Sequence, residues 1–177
     1  DGTIYSYDAI IDSHQQPIFE TSHCFPTPIM EIVNERKDMA YYTVKDIPEP
    51  LVELGRRAVK AFHVKSRFIH FEFFKLNSDH EGLGKAGSWV ALEVNMRPAG
   101  GYTPDMIDFA NLCDAYQIYA DMIAYDENRR PESAHKFYCV YASRFDEKKY
   151  KHTLAEIKSR YLAHIVMEER MPDILAS

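Results

Sequence analysis

Three side chains with useful chemistry stand at alternate positions near the middle of the chain: Glu93, Asn95 and Arg97. Successive side chains of a β-strand point to opposite faces. A strand over WVALEVN would therefore place Glu93 and Asn95 on one face, with Arg97 just beyond its end. The earlier segment RFIHFEFFKL is also strand-like and carries Glu72. If the two segments pair as a hairpin, Glu72 lies beside Glu93 and Asn95.

This combination of oxygen donors predicts a cation site. Two carboxylates held close together repel each other strongly unless a cation or a proton lies between them. Mg²⁺ prefers octahedral oxygen ligands, accepts a few carboxylates and keeps positions open for phosphate oxygens. Glu72, Glu93 and Asn95 are therefore predicted to bind Mg²⁺, or alternatively Mn²⁺, together with a nucleotide.

An anion site is predicted directly beside the cation site. The guanidinium of Arg97 can hold a carboxylate, a bicarbonate or a phosphoryl group through two parallel hydrogen bonds. Gly100 and Gly101 permit a tight turn that aims backbone N–H groups at an anion, and a helix starting near Thr103 adds a favourable dipole. Phosphoryl transfer from a nucleotide to a carboxylate requires such neighbouring sites.

A simpler interpretation of the same residues stays open. Half-exposed antiparallel sheets alternate apolar and polar residues, so Glu72, Glu93 and Asn95 could lie on a solvated face. The presence of Phe74 on the Glu72 face, and the depletion of Asn in strands, favour a site. His70 lies on this face too, either touching a phosphate or a second metal ion, or serving as a hydrogen-bonded structural residue.

The elements that would position these residues predict an α+β fold: an antiparallel sheet with packed helices. The apolar residues of segment 49–63 fall on one helical face, and Pro50 lies in its first turn. A second, long and largely buried helix is predicted over 104–125, and a third over 146–162. Alternating and β-branched patterns predict strands over 3–12, 18–25, 40–44, 67–76, 88–95, 135–145 and 163–169.

The pair of motifs HFEFF and, about twenty residues later, LEVNMRPAGG resembles the C-terminal half of an ATP-grasp domain. The likeness covers roughly residues 5–125 and extends to biotin carboxylase, the formate-dependent purine-pathway enzyme and the carboxylate–amine or L-amino-acid ligases. The RPAGG turn resembles the ligase branch more. The resemblance implies part of an ATP-dependent ligase that activates a carboxylate as an acyl phosphate for attack by an amine. Alternatives are biotin-carboxylase-type activation of bicarbonate and a degenerate nucleotide-binding module without catalysis.

The same resemblance implies roles for individual residues. Glu72 and Glu93 would be Mg²⁺ ligands that bridge to the ATP phosphates, and Asn95 would be a third ligand. Arg97 would stabilise the acyl-phosphate transition state or hold the carboxylate substrate. Phe74 would pack against the adenine. The implied cofactors are ATP and Mg²⁺, and the implied partners are a small-molecule carboxylate and an amine.

Composition narrows the class of protein. The net charge of −6 argues against a general nucleic-acid binder, and no apolar run is long enough for a membrane span. Three dispersed cysteines without a CxxC motif favour a reduced, cytoplasmic protein. His23 and Cys24 suggest a nucleophile pair, but adjacent strand residues point to opposite faces. The sequence leaves a homodimer open.

The start of the chain suggests a fragment. Its first residue is not Met, and its first segment, DGTIYSYDAII, is typical of a strand inside a sheet. The ATP-grasp enzymes that it resembles also need an N-terminal substrate domain and a lysine-bearing flap, so we expect these residues to be inactive by themselves. We expect residues 1–126 to form the C-terminal part of an ATP-grasp domain, and residues 127–177 a truncated strand–helix–strand segment.

Overall fold

The computed structural model describes residues 2–131 and 133–172, apart from the side chains of residues 29 and 30. The chain divides into two compact units, Asp1–Ser143 and Arg144–Ser177. The strands of the first unit are β1 (Gly2–Ile11), β2 (Pro17–Thr21), β3 (His23–Phe25), β4 (Ala40–Thr43), β5 (Arg67–Leu76), β6 (Trp89–Asn95) and β7 (Val140–Ala142). Its helices are α1 (Ile29–Glu35), α2 (Glu49–Ala61), α3 (Thr103–Asn111) and α4 (Ala115–Tyr125).

The first unit is built on one antiparallel sheet with the strand order β6-β5-β1-β3-β4-β7, and β2 pairs with β1 beside this path. The central pair, β1 and β5, runs in register over its whole length from Gly2 opposite Leu76 to Ile11 opposite Arg67. The predicted α+β class and the strands near the N-terminus are therefore confirmed, and α1 is a helix that the sequence did not predict.

The two faces of the sheet carry separate apolar clusters. Odd-numbered residues of β1 face α2, where Tyr7 and Ile11 pack with Leu51 and Val59. Even-numbered residues face the other side, where Ile10 packs against α3 and α4, and Ile4 joins a second cluster with Phe25, Tyr41 and Met106. This alternation follows from the two-residue period of a strand.

A β-bulge in β6 changes which side chains of that strand share a face. Glu93 lies opposite Glu72, but Ala91 lies opposite Phe73, so Leu92 is an extra residue without a partner on β5. Because of the bulge, odd-numbered side chains before Leu92 point to the sheet face opposite to that of Glu93. Trp89 consequently packs against Tyr5 on the α2 face, while Glu93 stays on the face of Glu72.

The long helix predicted over 104–125 is two helices. Leu112 adopts the left-handed conformation, with φ of 50°, and ends α3. Asp114 caps α4 by accepting a hydrogen bond from the Gln117 amide at 2.8 Å, and Asp108 accepts one from the Ala115 amide. Asp108 and Asp114 therefore satisfy backbone amides at the break.

The second unit holds a short helix, α5 (Leu154–Tyr161), followed by a 3₁₀ turn at Leu162–His164. Thr153 and Glu156 form a reciprocal capping box at its start. The helix therefore begins well after the predicted residue 146. The strand predicted over 163–169 is wrong, since no strand is assigned in that stretch.

The strand that precedes α5 belongs to the first unit, because β7 pairs with β4 from Ala40 opposite Ala142 to Tyr42 opposite Val140. The first unit thus continues past residue 126. The domain boundary expected there in the whole protein stays a prediction. Within the described residues, no helix is both long and apolar enough to cross a membrane.

Candidate functional site

The hairpin of β5 and β6 places the two predicted metal-binding carboxylates directly across from each other. Glu72 is paired with Glu93, and the next pair along the strands is His70 with Asn95. Side chains at directly opposed positions of an antiparallel pair lie on the same face with their Cβ atoms about 5 Å apart. Glu72, Glu93 and Asn95 therefore come together as the sequence predicted.

The three residues differ in exposure. Glu72 is buried, Asn95 is half-buried and Glu93 is exposed on the edge strand. The described residues contain no group of three or more His, Cys, Asp and Glu side chains arranged to hold a metal ion. The predicted set is of another kind, two carboxylates and one amide, and all its donors are the hard oxygens that Mg²⁺ takes. The donor chemistry fits, and their role as ligands stays a prediction.

Arg97 lies beyond the end of β6, at the same end of the hairpin as Asn95. Its guanidinium is exposed and donates one hydrogen bond to the Pro98 carbonyl at 2.9 Å. A guanidinium has five N–H donors, so this bond leaves most of its capacity for an anion. Arg97 thus follows the end of β6, and its place at the rim of a cation site and its contact with a substrate remain predictions.

The glycine turn after Arg97 is exposed and leads into α3. Gly101 has φ of 60°, in the region that favours glycine, and a Cβ at Gly100 or Gly101 would meet no atom within 4 Å. Thr103 is the first residue of α3, close to the predicted helix start, and its hydroxyl pairs with the Tyr41 hydroxyl at 2.9 Å. This bond fixes the start of α3 to β4.

Phe74, which the resemblance places against an adenine, is half-buried on the Glu72 face. Its side chain packs against the cluster of Ile4, Phe25, Tyr41 and Met106. It is thus part of the apolar support beside Glu72, and any contact with a base would involve its remaining exposed surface.

A buried polar network that the sequence did not predict adjoins Glu72. His70 Nδ1 lies 2.6 Å from Asp8 Oδ1, and His70 Nε2 lies 3.1 Å from Glu72 Oε1. The second oxygen of Asp8 lies 2.9 Å from Nδ1 of His23, and Ser6 also donates to it. Asp8 and His23 are completely buried. His70 thus takes the structural role that the sequence left as one alternative.

The charges of this network stabilise each other. Burial alone would raise the pKa of Asp8, but the positive charge of His70 and hydrogen bonds from His23 and His70 outweigh it and hold that pKa well below its usual range. Burial would lower the pKa of His70, yet the Asp8 charge and its hydrogen bonds to Asp8 and Glu72 raise it to about 10. His70 is therefore an imidazolium that donates from both ring nitrogens.

The residues of this network occupy a band between two apolar clusters. Along β1, Ser6 and Asp8 lie between Ile4 and Ile10, which belong to different clusters. The visible signal in the sequence is the pair of polar residues at alternate positions of an otherwise apolar strand, but only the register with β5 connects Asp8 to His70. His23 joins the network while Cys24 contacts Tyr5 and Tyr42, so the two do not form a nucleophile pair.

Comparison with known proteins gives a match among the solved structures. No family model matches the chain, and no curated protein matches it. The crystal structure of phosphoribosylglycinamide synthetase from Anaerococcus prevotii does, with 15% identity and a TM-score of 0.57. That synthetase is an ATP-grasp carboxylate–amine ligase. The chain has an ATP-grasp-like fold.

The structural similarity to the synthetase covers different shares of the two chains. It covers 79% of this chain and 34% of that chain, so the ATP-grasp-like chain spans about a third of the synthetase. At 15% sequence identity the similarity establishes the fold and not the activity. It confirms the fold predicted from the motifs HFEFF and LEVNMRPAGG.

Proposed function

We propose that the chain is part of an ATP-dependent ligase that activates a small-molecule carboxylate as an acyl phosphate and transfers the acyl group to an amine. The observation that carries the proposal is the register that sets Glu72 opposite Glu93, with Asn95 on the same face, within an ATP-grasp-like fold. The synthetase to which the fold is similar is a carboxylate–amine ligase, which favours this chemistry over the other reactions that the sequence left open.

In this proposal Glu72, Glu93 and Asn95 hold Mg²⁺, which would neutralise the charge of the ATP phosphates when bound. Two carboxylates facing each other supply the negative charge that such a cation needs. The buried position of Glu72 gives the set one rigid member, whereas exposed Glu93 leaves the site open towards a nucleotide.

Arg97 is proposed to hold the carboxylate substrate in line with the terminal phosphate. A carboxylate oxygen forms a bond to the γ-phosphorus, the bond from that phosphorus to the bridging oxygen breaks, and ADP leaves. The amine nitrogen then bonds to the acyl carbon, inorganic phosphate leaves with the electron pair of the C–O bond, and the amine gives up a proton to solvent. A guanidinium suits the first step because it can bind a carboxylate bidentately.

The test is a screen of carboxylate and amine pairs for ADP release by the whole protein with MgATP, followed by the Arg97→Ala variant. We expect a pair-dependent release of ADP, and a loss of about 10²-fold or more in kcat/KM in the variant. ADP release that depends on bicarbonate alone would contradict the amine transfer. Nucleotide binding without any turnover dependent on Arg97 would contradict catalysis altogether.

A further inference from the structure

One carboxylate oxygen of Glu72 already accepts a hydrogen bond from a buried side chain. Its Oε1 lies 3.1 Å from Nε2 of His70, and no other hydrogen bond of this carboxylate is found among the described residues. His70 in turn is held at its other nitrogen by Asp8, at 2.6 Å. Asp8 is anchored by Ser6 and His23 in the interior.

The burial of these groups makes the arrangement rigid. Asp8 and His23 have no exposed surface, and His70 and Glu72 are exposed by only 7% and 8%. Both ring nitrogens of His70 are hydrogen-bonded, to Asp8 and to Glu72, and a buried side chain held at both ends keeps one position more strictly than an exposed one. By contrast Glu93, the opposite member of the pair, lies exposed on the edge strand.

We propose that His70, anchored by Asp8, is a positioning residue for Glu72: its Nε2–H holds Oε1 so that Oε2 is presented towards Glu93 and a bound divalent cation. The inference rests on the proposed function, since it assigns that cation to Glu72 and Glu93. Residues that orient a metal ligand through a hydrogen bond typically contribute 10- to 100-fold to metal affinity.

Two substitutions of His70 separate positioning from simple support of the fold. In His70→Asn the amide nitrogen takes the place of Nδ1, so the bond to Asp8 is kept and the bond to Glu72 is lost. In His70→Gln the amide nitrogen takes the place of Nε2, so a donor to Glu72 is kept. Binding of Mn²⁺ alone, followed by electron paramagnetic resonance, then compares the two variants with the unmodified chain.

We expect His70→Asn to weaken Mn²⁺ binding about 10-fold or more and His70→Gln to weaken it much less. Glu93→Gln is the control, because it removes a proposed ligand without touching His70. If Glu93→Gln weakens binding and the two His70 variants behave alike, the positioning role is wrong while the cation site stands. If the chain binds no Mn²⁺, or if Glu93→Gln leaves Mn²⁺ binding unchanged, the proposed cation site is wrong and so is the positioning role of His70.

If the His70 variants do not fold, a second measurement tests the same hydrogen bond in the unmodified chain. In the unmodified chain, the ring N–H protons of His70 are observed by proton–nitrogen NMR in the absence of metal. Replacement of Glu72 by Ala is expected to shift the Nε2–H signal and to leave the Nδ1–H signal, which reports on Asp8, almost unchanged. An unchanged Nε2–H signal would overturn the proposed hydrogen bond to Glu72.

Discussion

At the scale of single residues, the opposed carboxylates of Glu72 and Glu93 are the central feature. Like charges at directly opposed positions of a sheet destabilise it, so this pair has a cost in the absence of a cation. The pair could be predicted from the sequence because both acids lie in strand-like segments of one hairpin. The contacts of His70 could not, since they depend on Asp8 at a distant position in the chain.

The cost of the opposed charges leads to a prediction for Glu93→Gln. In buffer with a chelator, we expect the variant to have a higher free energy of unfolding than the unmodified chain, by about 0.2–1 kcal/mol. With saturating Mg²⁺ or Mn²⁺ this difference should vanish or reverse, because the cation offsets the repulsion. Urea unfolding in the two buffers measures it. If the difference in free energy of unfolding is the same with and without the metal ion, Glu72 and Glu93 do not share a cation site.

The network of Asp8 and His70 predicts how stability depends on pH. His70 has a folded-state pKa raised to about 10 from its ordinary 6.5, so its contribution is full below about pH 6.5 and is lost as the pH rises through about 10. Asp8 has a lowered pKa, so its contribution is present above its ordinary 3.8 and is lost as the pH falls further. The pair therefore stabilises the fold most between these two ordinary values.

Urea unfolding in chelator from pH 6 to pH 9 tests this dependence. The unfolded state releases the His70 proton in this range and the folded state does not, so the free energy of unfolding should fall by up to about 1.4 kcal/mol per pH unit from this group. His70→Gln should show a shallower slope. An identical slope in the variant would rule out a charged His70 in the folded state.

At the scale of elements, local patterns predicted most strands and helices of the first unit but not the deviations within them. The bulge at Leu92 lets Trp89 and Glu93 face opposite sides although both have odd numbers, and nothing in the residue types around Leu92 marks it. The break between α3 and α4 likewise contains no Gly or Pro. There Leu112 adopts the left-handed conformation, and Asp108 and Asp114 accept hydrogen bonds from the amides of Ala115 and Gln117. Helical periodicity does not reveal these local contacts across the break.

The packing of α2 against the sheet predicts a strong effect of Gly55→Ala. An added Cβ would lie 2.5 Å from the ring of Tyr7, which is completely buried and donates to Glu20 at 2.6 Å. In a helix this change is otherwise stabilising by about 0.5–1 kcal/mol. Here we expect a loss of about 1–3 kcal/mol because the core is overfilled.

The unfolding midpoint in urea measures this effect, and Gly100→Ala is its matched control. A Cβ at Gly100 meets no atom within 4 Å, so the same chemical change there should alter the midpoint little. If Gly55→Ala were as stable as the unmodified chain or more so, α2 would not approach Tyr7 as closely as the structure describes.

At the scale of the whole molecule, the fold could be predicted further than the function. Motifs in β5 and β6 predicted an ATP-grasp-like fold, which the similarity to phosphoribosylglycinamide synthetase confirms. The substrates could not be predicted, because this chain spans about a third of that synthetase and substrate contacts depend on the whole protein. Glu72, Glu93 and Asn95, brought together by the hairpin, are the part of the proposed chemistry that this chain itself contains.

The most direct test is to locate Mn²⁺ by anomalous X-ray diffraction from crystals of the chain soaked with Mn²⁺ and ADP. We expect a peak between the carboxylates of Glu72 and Glu93, at coordination distance from an oxygen of each, with a nucleotide phosphate completing the coordination. A nucleotide bound with its metal ion elsewhere, and both carboxylates unoccupied, would contradict it.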